Sequence, residues 1–102
     1  MELIVYDLET YYDNSYSLSK ITTEEYIRDP RFEVVGVSVM KGDREGKWFT
    51  GTMKETKEWL QQFEFHKNMA VAHNGMFDHA ILGWRFGIHP KVLGDTLSMA
   101  RA

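Results

Sequence analysis

The amino-acid sequence predicts an α/β fold in which a mixed five-stranded sheet is flanked by helices. Three observations support this prediction. Short runs of β-branched and aromatic residues recur along the chain, two of these runs are joined by a turn typical of a β-hairpin, and two segments with apolar residues at helical spacing separate the later runs. Strands that alternate with helices in this order form sheets on which the helices pack.

The start of the chain predicts a strand and then a short helix. Residues 3–9 form an apolar run that turns acidic at its end, which is typical of a buried strand emerging at one edge of a sheet. Thr22 and Glu25 have the spacing of a capping box, so a short helix is expected to begin there and to end before Pro30.

The middle of the chain predicts a hairpin followed by an amphipathic helix. Residues 32–40 and 47–50 are rich in strand-forming side chains, and the polar, glycine-containing residues 41–46 between them predict the turn. Thr52 repeats the capping-box spacing, and apolar residues at helical intervals then predict a helix over residues 53–65.

The last third of the chain predicts a strand, a helix and another strand. Residues 69–72 are a short buried strand, Asn74 can cap the following helix, and Gly87 is expected to end it. A final strand is expected over residues 95–97, and residues 98–102 resemble the beginning of another helix.

Composition limits both the size of the fold and the classes of function. The 102 residues are 43% hydrophobic and 14% aromatic, without repeats or low-complexity linkers, so we expect residues 1–102 to form a single domain. A net charge of -3 does not favour binding of nucleic acid through bulk charge, and the absence of cysteine excludes thiol chemistry and disulfides. Without a leader-like start or a long apolar run, we expect a soluble, cytoplasmic protein, in the host cytoplasm if it is phage-encoded.

Two carboxylates follow each other at the end of the first strand. Asp7 and Glu9 should point to the same side of this strand and Leu8 to the other, because side chains alternate. At about 6 Å and an effective dielectric near 20, the two charges repel each other by roughly 3 kcal/mol, and a divalent cation would reverse that effect. Carboxylate oxygens suit Mg²⁺ or Mn²⁺. The alternative is that this strand ends in polar residues for solubility alone.

A second acidic element follows the strand of residues 69–72. Asn74 occupies the position of a helix cap, and Asp78 lies in the first turn, where the helix dipole favours a negative charge. An ordinary capped helix is the alternative explanation. Because ligands of open α/β sheets bind at the carboxyl ends of strands, the two acidic elements together indicate one site.

These two elements resemble the motifs of a known enzyme superfamily. Residues 7–10 (DLET) and 74–78 (NGMFD) resemble the first and second exonuclease motifs of the DEDD superfamily, which includes the 3′-5′ exonucleases that proofread for DNA polymerases. Residues 26–37 and 95–101 are similar to the exonuclease region at the amino end of phage-type family A DNA polymerases. The resemblance spans nearly the whole chain.

The resemblance implies a ribonuclease-H-like fold and hydrolysis of the terminal phosphodiester by two ions of Mg²⁺ or Mn²⁺. It assigns metal binding and catalysis to Asp7, Glu9 and Asp78, with Asp7 between the ions, one of which activates water while the other stabilises the leaving 3′ oxygen. It places Thr10, Asn74 and Phe77 near the terminal nucleotide. Relatives often carry Tyr where this chain has Phe77, so a polar role of that position is in doubt.

The resemblance is incomplete at the carboxyl end. Relatives carry a third motif on a later helix, His or Tyr followed by a fourth Asp, whereas Asp95 is the sole acidic residue after Asp78 and is assigned to the last strand. The resemblance thus implies an incomplete site with weak or no activity. The implied partners are the 3′ end of single-stranded DNA or RNA, a polymerase domain in the same or another chain, and a second copy bound through uncovered sheet surface.

Three other functions remain open. The chain can be an RNA-processing exonuclease of the same superfamily, a non-catalytic docking or folding fragment of a polymerase, or an unrelated α/β binding module.

Its other conspicuous side chains have ordinary explanations. We interpret the four histidines as surface or packing residues, Trp59 and Trp84 as core residues, and the hairpin cations as solvated, and we keep Tyr11 and Tyr12 as candidates for base stacking.

Overall fold

The computed structural model of this chain describes residues 1–72 and 74–95. Its elements are β1 (Leu3–Thr10), α1 (Thr23–Arg28), β2 (Val34–Lys41), β3 (Lys47–Phe49), α2 (Met53–Gln61), β4 (Met69–Ala72), α3 (Gly75–Phe86) and β5 (Val92–Asp95). The strands form one sheet in the order β3-β2-β1-β4-β5. β1 is antiparallel to β2 and parallel to β4, and β4 is parallel to β5. The prediction of an α/β fold with a mixed five-stranded sheet is therefore confirmed.

β1 is the central strand, and its side chains alternate as predicted. Ile4, Tyr6 and Leu8 are buried, whereas Asp7 and Glu9 are exposed. Since β1, β4 and β5 are parallel, their carboxyl ends lie at the same edge of the sheet, which is where ligands of such sheets bind. The pairing with β2 shifts by one residue after Glu9, so the strand is irregular directly beside its acidic pair.

The hydrophobic core lies on one face of this sheet. Buried side chains from α1, α2 and α3 pack against Tyr6 and Leu8 of β1 and against Val37 and Val39 of β2 in a single cluster. The face that carries Asp7 and Glu9 is different, because it exposes the large apolar side chains of Leu3, Met40 and Trp48. The acidic pair therefore lies on the more open of the two faces.

The predicted helix starts are confirmed, and one predicted helix end is wrong. The hydroxyls of Thr22 and Thr52 each accept a hydrogen bond from the backbone N–H three residues later, and Thr52 forms a complete capping box. α2 ends at Gln61 rather than at residue 65. Glu64 adopts a left-handed conformation with φ 54°, which breaks the helix and directs Phe65 into the core through a short 3-10 turn, Phe65–Lys67.

Three further predictions meet different outcomes. Trp59 stacks on Phe49 and is partly buried, as expected, but the interpretation of Trp84 as a core residue is wrong because its side chain is 48% exposed. The Arg28 guanidinium lies 4.8 Å from the ring centre of Trp84 and makes a cation–π contact with it. The helix-ending role of Gly87 is confirmed by its φ of 64°.

The last predicted strand begins earlier than expected, because β5 covers Val92–Asp95. Residues 96–97 of that prediction, the helix expected over residues 98–102, and His73 lie outside the described residues. Within the described ranges, no helix has the length and apolar character needed to cross a membrane.

Candidate acidic site at the end of the central strand

Three carboxylates predicted to share a site come from two neighbouring elements. Asp7 and Glu9 lie on the exposed face at the end of β1, and Asp78 lies in the first turn of α3. α3 follows β4, which is parallel to β1, so the beginning of this helix and the end of β1 meet at the same edge of the sheet. Asp78 differs from the other two because its side chain is only 2% exposed.

The environment of Asp78 is unfavourable for a lone negative charge. Burial raises the pKa of its carboxyl group to about 7, and the charges of Asp7 and then Glu9 contribute to the increase, while the backbone N–H of Leu8 opposes it. The Oδ2 atom is buried and has no hydrogen-bond partner in the described part of the chain. Buried polar atoms are almost always paired. A bound proton or a cation would satisfy this oxygen.

The donor set fits a hard divalent cation in chemistry and in charge, since three carboxylates act on one another at one edge of the sheet. Their arrangement is looser than the sequence suggests. Among residues 1–72 and 74–95, no group of three or more histidine, aspartate or glutamate side chains is close enough to hold a metal ion. Asp7 and Glu9 are exposed on one face of β1, whereas Asp78 is buried.

The residues predicted to lie near a terminal nucleotide are partly brought together. Asn74 and Phe77 line a groove of about 1000 Å³ between the start of α1, the outer side of α3 and the end of β5, and Trp84 lies further along it. The Asn74 side chain occupies the cap position but makes no capping hydrogen bond within the described chain, so the predicted cap is absent. Thr10 does not line this groove.

Thr10 is instead held by a stack of tyrosines that follows β1. The Tyr26 hydroxyl is hydrogen-bonded to the Thr10 hydroxyl at 3.0 Å and also donates to the Tyr11 carbonyl. Tyr16 stacks on Tyr26, with ring centres 4.5 Å apart. These contacts fix the chain immediately after the acidic pair.

The two tyrosines considered for base stacking differ in freedom. The Tyr11 hydroxyl donates to the Asp13 carboxylate at 2.5 Å, and this bond is the largest of several that lower the pKa of Asp13 to about 2. Tyr12 is 72% exposed. Of the pair, Tyr12 has the greater free ring surface for a ligand.

Sequence analysis missed one polar connection beside the site. The Tyr6 hydroxyl is hydrogen-bonded to Nδ1 of His79 at 2.6 Å, and Nε2 of His79 is 2.7 Å from the carbonyl oxygen of Gly94. The alternation of β1 places Tyr6 on the buried face, and a buried tyrosine hydroxyl needs a partner. The sequence contains that signal, but it does not identify the partner, which is 73 residues away.

The candidate site thus consists of two exposed carboxylates, one buried carboxyl group with an unpaired Oδ2 in the described part of the chain, and an adjoining groove. Comparisons of the chain with protein-family models, with curated proteins and with solved structures find no match.

Proposed function

We propose that this chain is a 3′-5′ exonuclease domain of the proofreading type, with a ribonuclease-H-like fold, which hydrolyses the terminal phosphodiester of single-stranded DNA with Mg²⁺ or Mn²⁺. One observation carries the proposal. The buried carboxyl group of Asp78, whose Oδ2 has no hydrogen-bond partner in the described part of the chain, lies within electrostatic reach of Asp7 and Glu9 at the end of the central strand. The resemblance of residues 7–10 and 74–78 to exonuclease motifs supports the same reading.

Asp7, Glu9 and Asp78 would hold the cation or cations. Divalent ions bound by carboxylates lower the pKa of an attacking water and stabilise the leaving oxygen of a phosphodiester. Burial disfavours the ionised form of Asp78, and the negative charges of Asp7 and Glu9 add to this effect by raising its pKa further. A site of this kind gains affinity for cations from the same repulsion.

The neighbouring side chains support a role in holding the end of a nucleic acid strand. Asn74 is exposed and its amide is not used in capping, so it can bind a polar group of the terminal nucleotide. Phe77 packs against Tyr26 at 5.9 Å and presents an apolar surface to the groove, which suits a base or sugar and not a charged group. Thr10 follows the acidic pair directly and is fixed by Tyr26, although it does not line the groove.

A second candidate function is a non-catalytic docking or folding unit of a polymerase. It is favoured by one observation, that the described residues contain no closed group of three metal ligands. The remaining alternative within the superfamily is digestion of RNA, because no side chain in the described site is committed to recognising or excluding a 2′-hydroxyl group.

The proposal is tested with a 5′-labelled single-stranded DNA and an RNA of the same sequence, each incubated with the 102-residue chain. Mn²⁺, Mg²⁺ and EDTA are compared. We expect slow, metal-dependent products that shorten one nucleotide at a time from the 3′ end, because the resemblance leaves the fourth carboxylate of the site unassigned. Asp7→Asn should reduce the rate by at least about 100-fold, since the loss of a metal-binding carboxylate removes several kcal/mol of transition-state stabilisation.

Asp43→Asn is the matched control, because it removes the same carboxylate from an exposed position in the hairpin turn. This variant should retain the wild-type rate. Digestion that survives Asp7→Asn would show a contaminating nuclease. A folded wild-type chain that neither digests DNA or RNA nor binds Mn²⁺ would support the docking unit instead.

A further inference from the structure

A short hydrogen-bonded chain joins the three elements that meet beside the acidic site. It runs from the Tyr6 hydroxyl on β1 through the His79 ring on α3 to the Gly94 carbonyl on β5. We propose that His79 is a positioning residue that holds the first turn of α3, and with it Asp78, against the end of β1. Its effect on metal binding rests on the proposed function, in which Asp78 is a metal-binding carboxylate.

The partners fix which nitrogen carries the proton. The Gly94 carbonyl can only accept, so Nε2 donates to it over 2.7 Å. In the neutral imidazole, Nδ1 is then the acceptor, and the Tyr6 hydroxyl donates to it over 2.6 Å. Burial raises the pKa of Tyr6, which keeps this hydroxyl protonated and able to donate. Both ring nitrogens are used, so the ring cannot rotate without losing a hydrogen bond.

We call the hydrogen-bonded chain from Tyr6 through His79 to Gly94 the tether. Its position in the sequence gives it a role at the site. Tyr6 directly precedes Asp7, and His79 directly follows Asp78. The Tyr6 hydroxyl therefore joins two backbone segments that each carry a candidate carboxylate, although they lie 73 residues apart. The second bond extends the connection to β5, whose carboxyl end lies at the same edge of the sheet.

The Tyr6 end of the tether is buried, whereas His79 lines the adjoining groove. Tyr6 is 2% exposed, and its ring meets the edge of Phe65 at 5.6 Å. The centre of the His79 ring lies 5.6 Å from that of Tyr6. Leaving a buried hydroxyl group without its hydrogen-bond partner costs free energy. This hydrogen bond therefore opposes the separation of β1 and α3 in addition to apolar packing. Groups that orient metal-binding residues in this way commonly contribute 10- to 100-fold to metal affinity.

The test compares four variants of the 102-residue chain. Tyr6→Phe removes one oxygen atom and keeps the buried ring, His79→Leu removes both hydrogen bonds, and His79→Gln retains a donor and an acceptor. His66→Leu is the matched control, because His66 is an exposed histidine in the 3-10 turn. The probes are Mn²⁺ alone, followed through the electron paramagnetic resonance signal of the free ion, and amide hydrogen exchange in metal-free buffer.

The exchange measurement reports position without any metal. The Asp78 N–H donates to the Asn74 carbonyl at 3.0 Å in the first turn of α3, and we expect its exchange to be about tenfold faster in Tyr6→Phe and in His79→Leu. Exchange in the second half of α3 should stay as in the wild type. The Kd for Mn²⁺ should rise by about 10- to 100-fold in the same two variants, with partial recovery in His79→Gln.

The outcomes separate this inference from the proposed function. Unchanged exchange at Asp78 in Tyr6→Phe overturns the positioning role, whatever the metal does. A lower unfolding midpoint with an unchanged Kd for Mn²⁺ also overturns it and leaves His79 a purely structural residue. A wild-type chain that does not bind Mn²⁺ refutes the proposed metal site, while the exchange data still decide whether His79 positions Asp78.

Discussion

Asp7 and Asp78 interact through charge at the end of the central strand. Asp7 is exposed, whereas Asp78 is buried. The charge of Asp7 is the second-largest cause, after burial, of the raised pKa of Asp78. A carboxyl group with a pKa of about 7 gains and loses its proton near neutral pH. A cation therefore competes with the proton for the Asp78 carboxylate.

Replacing Asp78 by asparagine should stabilise the metal-free protein at alkaline pH. A carboxyl group whose pKa is higher in the folded state favours folding while it is protonated, and this contribution is lost as the pH rises from about 4 to about 7. Asparagine does not titrate. Allowing for solvent screening, we expect Asp78→Asn to gain about 1–2 kcal/mol over the wild type at pH 8 and less at pH 5. Urea denaturation in EDTA at both pH values measures the difference.

Asp43→Asn serves as the control for this effect, because its carboxylate is exposed. Its difference from the wild type should be small at both pH values. If Asp78→Asn differs from the wild type by the same amount at pH 5 and pH 8, Asp78 titrates normally and the argument for an electrostatically coupled site fails.

The two exposed carboxylates should affect Asp78 unequally. Asp7 contributes more than Glu9 to its raised pKa, so Asp7→Asn should lower that pKa further than Glu9→Gln does. Both variants should leave it above the ordinary value, because burial is the largest cause. Carboxyl-carbon NMR titrations of the three proteins give these values directly. An Asp78 pKa that is the same in all three would show that the carboxylates act independently.

Local signals explain why most of the fold was predictable. The capping residues Thr22 and Thr52 define helix starts through hydrogen bonds to their own backbone neighbours, and Gly87 ends α3 through its own conformation. The early end of α2 was not predictable in this way. It depends on Glu64, a residue with no preference for the left-handed conformation, which the packing of Phe65 in the core favours here.

The arrangement of the candidate site residues was predictable only in part. Alternation along β1 was sufficient to place Asp7 and Glu9 on one face. The burial of Asp78 and the bond from Tyr6 to His79 depend on where α3 packs, and a single sequence does not contain that distance. Trp84 shows the same limit, since helical spacing predicted an apolar face but not that part of this face borders an open groove.

Alanine should affect stability and activity differently at two helix-cap positions. Thr52→Ala should cost about 1 kcal/mol, because Thr52 accepts from the Glu55 N–H and its own N–H donates to the Glu55 carboxylate. Asn74→Ala should change stability by less than about 0.5 kcal/mol, since the Asn74 side chain makes no capping bond within the described chain. On the proposed function, Asn74→Ala slows DNA digestion and Thr52→Ala does not. Urea denaturation and the nuclease assay test this contrast, and a large loss of stability in Asn74→Ala would contradict it.

Gly36 is required by the indole of Trp48, which lies over it on the open face of the sheet. A Cβ atom at Gly36 would be 2.2 Å from Cζ2 of Trp48, so Gly36→Ala must displace a ring that is itself 59% exposed. We expect a loss of about 1–3 kcal/mol, measured by urea denaturation. In a Trp48→Ala background the clash is absent, and Gly36→Ala should be neutral or stabilise the strand by about 0.5–1 kcal/mol. Because Gly36 is paired with Glu9 across β1 and β2, the displaced ring should also disturb the acidic pair and weaken Mn²⁺ binding. An equal loss of stability in both backgrounds would show that Trp48 is not the cause.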